Sequence, residues 1–201
     1  MDPPGVYHWD TALVRVFIAV DIEDPVVVGR LARLRDSIAH TGVPMKTVED
    51  ENFHITLRFI GEVSEPVASE IGERLASIRF GRFRIELRGL GAFPRPERPR
   101  VVWVGVSAGA EDLRRIRDEV ERILSSMGFS PERQEFHPHV TLARIKGARN
   151  LPALVKLLRE MGDVEVGSVE VSSIRLKQSI LTRQGPIYKT LYEVKATQDQ
   201  G

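Results

Sequence analysis

Apolar residues recur along this chain with two different periods, and the changes between them mark the elements. Arg15-Val16-Phe17-Ile18-Ala19-Val20-Asp21 is an apolar run between charged ends and predicts a buried strand. Asp24-Pro25 then gives a helix cap and first turn. Val27, Leu31, Leu34 and Ile38 form one apolar stripe on that helix, which Thr41-Gly42 ends. His54 to Ile60 predicts a second strand. Ser64-Glu65-Pro66 opens a second helix, with Val67, Ile71, Leu75 and Ile78 facing inward. Phe83 to Leu87 alternates apolar and polar, as a half-exposed strand does.

Between Phe93 and Arg100, the prolines at 94, 96 and 99 remove backbone donors, so this stretch predicts an ordered turn or loop. Val101 to Val106 is again a strand. The clearest helix spans Glu111 to Met127, with Leu113, Ile116, Val120, Ile123, Leu124 and Met127 on its core face and Gly128 as its stop. A strand from His139 to Ile145 follows, then a short helix capped by Asn150 and carrying Leu154, Leu157 and Leu158. Two last strands fit Val169 to Ile180 and Ile187 to Val194, turning at Gln184-Gly185-Pro186. Two strand–helix–strand–helix runs in succession suggest a duplicated unit. The hairpin-like steps point to an α+β fold rather than a strictly parallel sheet.

Composition narrows the chemistry. The chain has 201 residues, 42% apolar and 28% charged, and can bury a real core. With no cysteine it has no disulfide, no thiolate nucleophile and no Cys-based zinc site. A net charge of +1 excludes a polycation, although the basic residues are mostly arginine, which favours bidentate contact with phosphate. No apolar run reaches the ~20 residues of a membrane span, and the N-terminal residues lack a signal-peptide pattern, so a cytoplasmic protein without membrane contact is expected.

The candidate chemistry lies in a repeated tetrapeptide, His54-Ile55-Thr56-Leu57 and His139-Val140-Thr141-Leu142. On a strand, side chains alternate between faces. His54 therefore shares a face with Thr56, and His139 with Thr141, while the intervening aliphatic residues pack the opposite way. A second match of this kind arises by chance about once in a thousand chains of this length. Two imidazoles that titrate near neutrality, with a hydroxyl beside each, suit acid–base chemistry on a phosphodiester without a metal. One histidine gives a proton and the other takes one; the residues alone do not choose which.

Longer stretches carry a family resemblance. Arg15 to Val20, Asn52-Phe53-His54-Ile55-Thr56-Leu57-Arg58-Phe59-Ile60-Gly61, Gly91-Ala92-Phe93-Pro94, Pro99 to Val106, Phe136-His137-Pro138-His139-Val140-Thr141-Leu142-Ala143-Arg144, Ser179 and Gly185-Pro186-Ile187-Tyr188 together resemble the 2H phosphoesterases. Specifically, they resemble the RNA 2′,3′-cyclic phosphodiesterases, also called 2′-5′ RNA ligases. The resemblance covers about residues 14 to 195. It implies a bilobal fold over 14–196, with two antiparallel-rich sheets and flanking helices around a central cleft and a pseudo-twofold axis. A leader, 1–13, and a tail, 197–201, would lie outside it.

It further implies opening of RNA 2′,3′-cyclic phosphate ends to 2′-phosphomonoesters with no cofactor or metal, and reversible 2′-5′ ligation. In that scheme His54 is the proton donor and His139 the proton acceptor. Thr56, Thr141 and Arg144 bind substrate, and Phe59 either stacks a base or fills the core. The substrate is RNA with cyclic phosphate ends or a small nucleotide, handled by a monomer. The residues leave open a phosphodiesterase for small cyclic nucleotides or 2′-5′ oligonucleotides, and a non-catalytic nucleotide- or RNA-binding module.

Three points stay open at this level. Phe59 and Arg144 each stand five residues after a motif histidine, and strict alternation sends both to the far face; Arg144 reaches the groove only if its strand twists or bulges. His137 and His139 form a metal-ligand pair only if a third ligand joins them. Arg79, Arg82, Arg84 and Arg95, Arg98, Arg100 are basic clusters that suit either an RNA backbone or a solvated surface. His8 and His40 are expected at the surface.

Overall fold

A computed structural model describes residues 12–197. Of the leader expected at 1–13 and the tail expected at 197–201, residues 1–11, with His8, and 198–201 lie outside the described residues; Leu13 belongs to the first strand and Thr197 bridges to Gly81.

Nine strands form one continuous antiparallel sheet: β1 (Leu13–Asp21), β2 (Met45–Thr47), β3 (His54–Ser64), β4 (Phe83–Phe93), β5 (Val101–Ala108), β6 (His139–Ile145), β7 (Glu165–Val171), β8 (Ser173–Thr182) and β9 (Gly185–Lys195). The helices are α1 (Pro25–Ala39), α2 (Glu65–Leu75), α3 (Ala110–Ser126) and α4 (Leu151–Glu160). The strand order is β7-β4-β5-β6-β3-β1-β8-β9, with the short β2 added beside β6.

The two expected sheets are the two wings of this one sheet. One wing is β3-β1-β8-β9, the other β6-β5-β4-β7, and they meet where Ile55 pairs with Val140. Both partners are the second residue of a His-x-Thr-Leu motif. The wings are thus related strand for strand, with β3 matching β6 and β1 matching β5.

The helices form where the apolar stripes lie. The Asp24 side chain accepts hydrogen bonds from the Val26 and Val27 amides, each at 3.0 Å, and so starts α1. Val27, Leu31 and Ile38 of α1 are buried, each contributing about 1.5–3 kcal/mol. Although α1 follows β1 of the first wing, it packs on β6 and β7 of the second. An Arg30 guanidinium hydrogen bond to the Val166 carbonyl, 2.7 Å, fixes that crossing. In return, α3 follows β5 of the second wing and reaches across to β3 and α2. Each wing is therefore covered partly by a helix from the other, so the two wings fold as one body.

The predicted strand Val169 to Ile180 is not one strand. It divides at Ser172 into β7, which pairs with β4, and β8, which pairs with β1 in the other wing. The apolar alternation changes phase at Ser172-Ser173, from Val169 and Val171 to Ile174 and Leu176, and the crossing falls at that local signal. Short β2 and a 3₁₀ turn at Asp50–Asn52 also fill a stretch for which the periodicity predicted nothing. Asn150 stands before α4 at φ 59° without capping it through its side chain.

Candidate active site

His54 opens β3 and His139 opens β6, the two strands that meet at the centre of the sheet. The rings are held identically. His54 Nδ1 lies 2.7 Å from the carbonyl oxygen of Asn52, and His139 Nδ1 lies 2.5 Å from that of His137. A carbonyl only accepts, so each Nδ1 carries a proton and donates it. Each Nε2 is left to exchange a proton with something else. His54 Nε2 is 3.1 Å from the Thr56 hydroxyl, so this motif's imidazole and hydroxyl share a face as alternation requires.

Each imidazole rests on an aromatic pair. Phe17 and Tyr188 lie 5.2 and 5.3 Å from the His54 ring, and Phe93 and Trp103 lie 5.0 and 5.9 Å from the His139 ring. Trp103 lies close because Gly91 has no side chain: a Cβ there would stand 2.4 Å from the indole. Burial pushes the titration of both histidines below the ordinary value, against the favourable hydrogen bond that each ring donates to a backbone carbonyl. The charge of Lys177 adds to this at His54, and that of Arg144 at His139.

The structure also resolves the fifth position of each motif. Along β1, Ala19 pairs with Thr56 and the next residue back, Ile18, with Arg58, so Leu57 is an extra residue in β3. Along β5, Trp103 pairs with Thr141 and Val102 with Ala143, so Leu142 is an extra residue in β6. A bulge shifts the alternation by one. Strict alternation therefore fails in both strands at the same place. Phe59 is not a core side chain; it is 49% exposed and lines the cleft. Arg144 is exposed and close enough that its charge lowers the titration of His139 and partly offsets the burial that raises that of Tyr188.

Thr56, Phe59, Phe93, Phe136 and His139 border a cleft of about 590 Å³. Its outer wall, residues 129–137, is tied down by charged groups. Arg58 donates to the Ser130 carbonyl at 2.6 Å and pairs with Glu121 of α3 at 2.7 Å. Arg117 approaches Glu121 at 3.7 Å and Glu132 at 3.6 Å, and lies 5.3 Å from the Phe136 ring centre. This wall carries the His137 carbonyl that orients His139. His137 serves through that carbonyl; its ring is exposed, 3.6 Å from Glu135.

One group had no reading in the sequence. Lys177 is only 5% exposed, and its ammonium donates to both oxygens of Asp21 at 2.7 Å. Asp21 pairs across the sheet with His54, and Lys177 lies 5.8 Å from the Tyr188 ring centre. Arg175 completes the set, 2.6 Å from Asp21 and 2.7 Å from Glu23. The available signal was a pair of alternating cations, Arg175 and Lys177, flanking Leu176 in β8. The two wings thus share an aromatic pair at each histidine but differ beneath them: a buried Asp21–Lys177 cluster lies by His54.

Of the other sequence clusters, Arg82 is paired with Glu170 at 3.1 Å and Arg84 reaches the Ser168 hydroxyl at 3.2 Å. His40 is exposed at the end of α1. No helix among the described residues is long and apolar enough to cross a membrane.

Comparison with known proteins agrees with this duplicated arrangement. The family described as LigT-like phosphoesterase matches twice in succession, over residues 22–103 and 104–188. A curated RNA 2′,3′-cyclic phosphodiesterase of Aeropyrum pernix is 94% identical over 170 residues, covering 85% of this chain and 97% of the relative. Another of that name, from Archaeoglobus fulgidus, is 42% identical over 178 residues, covering 89% and 98%. The crystal structure of E. coli LigT in its apo form superposes with a TM-score of 0.73 at 24% identity, over 92% of this chain and 99% of that one.

Proposed function

Because the chain belongs to the LigT-like phosphoesterase family, we propose that it opens 2′,3′-cyclic phosphate ends of RNA to 2′-phosphomonoesters with His54 and His139 as its acid–base pair. The observation that carries this reading is the matched tethering of the two rings. Each Nδ1 is engaged by a backbone carbonyl, which leaves two Nε2 atoms, one from each wing, for the reaction.

Water attacks phosphorus while His139 Nε2 takes its proton. The P–O3′ bond breaks, and His54 Nε2–H gives its proton to the departing 3′-oxygen. Attack and departure lie on opposite sides of phosphorus, and histidines from opposite wings suit that requirement. The direction of proton flow follows the family assignment. Thr56, Thr141 and Arg144 donate to the non-bridging oxygens, whose charge must stay compensated through the transition state. Phe59, exposed at the cleft, offers a face on which the terminal base stacks. Both wings contribute a proton-transfer group, so residues 14–196 act as one unit, and a single chain supplies the whole set.

The test uses an oligoribonucleotide ending in a 2′,3′-cyclic phosphate, incubated with the purified protein and EDTA. The expected product carries a 2′-phosphate. A 3′-phosphate as sole product, or activity abolished by EDTA, overturns this mechanism.

A further inference from the structure

The β4–β5 loop runs from Pro94 to Arg100 and is stiffened by three prolines. The Arg100 amide donates to the Phe93 carbonyl at 2.7 Å, and the Arg98 amide to that of Arg95 at 3.0 Å. The Ile145 amide donates to the Arg100 carbonyl at 2.8 Å, which fastens the loop beside Arg144. The loop is therefore ordered in advance, and a ligand would meet little cost in fixing it.

Arg95, Arg98 and Arg100 are all exposed. Elsewhere in the protein arginines commonly carry a carboxylate, as Arg58, Arg82, Arg88 and Arg175 do. No such pair involves these three among the described residues. The loop's own acid, Glu97, turns instead toward Arg159 of α4 at 3.7 Å. The three guanidinium groups thus present uncompensated positive charge. With Pro94 they border a hollow of about 500 Å³. Pro94 also lines the catalytic cleft, so the two hollows share a wall.

Resting on the reading of the cleft given above, we propose that Arg95, Arg98 and Arg100 form a binding site for RNA backbone phosphates on the 5′ side of the nucleotide being opened. A strand whose last nucleotide occupies the cleft must leave past one of its rims, and this rim carries free cations in the fork geometry that suits phosphate. The site makes the enzyme favour strand ends over isolated cyclic nucleotides.

The experiment compares a nucleoside 2′,3′-cyclic phosphate with a decamer ending in the same nucleotide, for the wild type and for the combined variant Arg95→Gln, Arg98→Gln, Arg100→Gln. For the decamer, kcat/KM should fall about tenfold or more, mainly through KM, and its log–log salt slope should shrink by about 2, at ~0.7 per phosphate lost. Turnover of the mononucleotide should be unchanged, and Lys at the three positions should restore most of the salt slope. Anisotropy of a labelled decamer should show the same loss of binding. Equal losses on both substrates, or an unaltered decamer, overturn the site, as does retention of decamer binding with loss of affinity only for acidic peptides. If the wild type opens neither substrate but decamer binding still depends on the three arginines, the cleft reading fails and the loop site stands.

Discussion

Leu57 in β3 and Leu142 in β6 are equivalent: each is the extra residue of a one-residue bulge three positions after a cleft histidine. Phe59, which strict alternation would place on the far face, lines the cleft, and Arg144 lies within electrostatic reach of His139. The two copies then diverge at the fifth position, with Phe59 in one and Arg144 in the other. One wing can stack a base while the other holds charge.

That divergence separates two losses. Arg144→Ala removes a charge-assisted donor, so kcat/KM should fall about 10- to 100-fold for any substrate carrying the cyclic phosphate, with inorganic phosphate inhibiting less. Phe59→Ala removes one stacking face, about 1–3 kcal/mol. It should raise KM with little change in kcat, and should leave the melting temperature nearly unchanged because the ring is already exposed.

His54→Ala and His139→Ala should each lower kcat by about 100- to 10,000-fold. The double variant should be little worse than either alone, because the two proton transfers belong to one displacement step. Steady-state rates for the three variants decide this. A single variant within a few-fold of wild type would remove that residue from the acid–base pair.

The pH profile follows from burial. Both imidazoles titrate below the ordinary histidine value, so the free enzyme holds one protonated and one neutral ring in a window on the acid side of about 6.5. The bell in kcat/KM should therefore centre below that value. Bound substrate brings a phosphate anion that favours imidazolium, so the bell in kcat should lie to the alkaline side of it. A kcat/KM bell centred well above 6.5 would contradict the buried, cation-flanked setting of the two rings.

The Asp21–Lys177 pair makes a prediction about stability. Burial works against the Asp21 carboxylate, but hydrogen bonds from Lys177 and Arg175 outweigh it and hold its titration below the ordinary value. Its contribution is present above the unfolded carboxylate value of about 3.9 and is lost as pH falls through the lower folded one. Asp21→Ala strands a buried ammonium and should cost about 3 kcal/mol near neutrality, read from urea midpoints. Lys177→Met removes a cation that depresses His54. An NMR titration should then show the His54 ring moving upward while His139 stays in place.

The amino-acid sequence alone determined the elements that rest on local periodicity. The stripe Val27, Leu31, Leu34, Ile38 made α1, the His-x-Thr spacing put the Thr56 hydroxyl beside the His54 imidazole, and the repeated motif exposed the duplication. These depend on residues a few positions apart, which the chain itself holds in order. Tertiary structure decided what depends on partners distant in sequence. A bulge exists only relative to the neighbouring strand, so no pattern within β3 or β6 could announce which way Phe59 and Arg144 face. The phase change at Ser172-Ser173 marks a break, but that its two halves enter different wings follows from the strands they meet, β4 for β7 and β1 for β8. Lys177 is buried only because Asp21, 156 residues earlier, meets it on β1. Pairing, register and charge compensation across the sheet are set by the whole fold, and they complete a site whose two histidines were already legible.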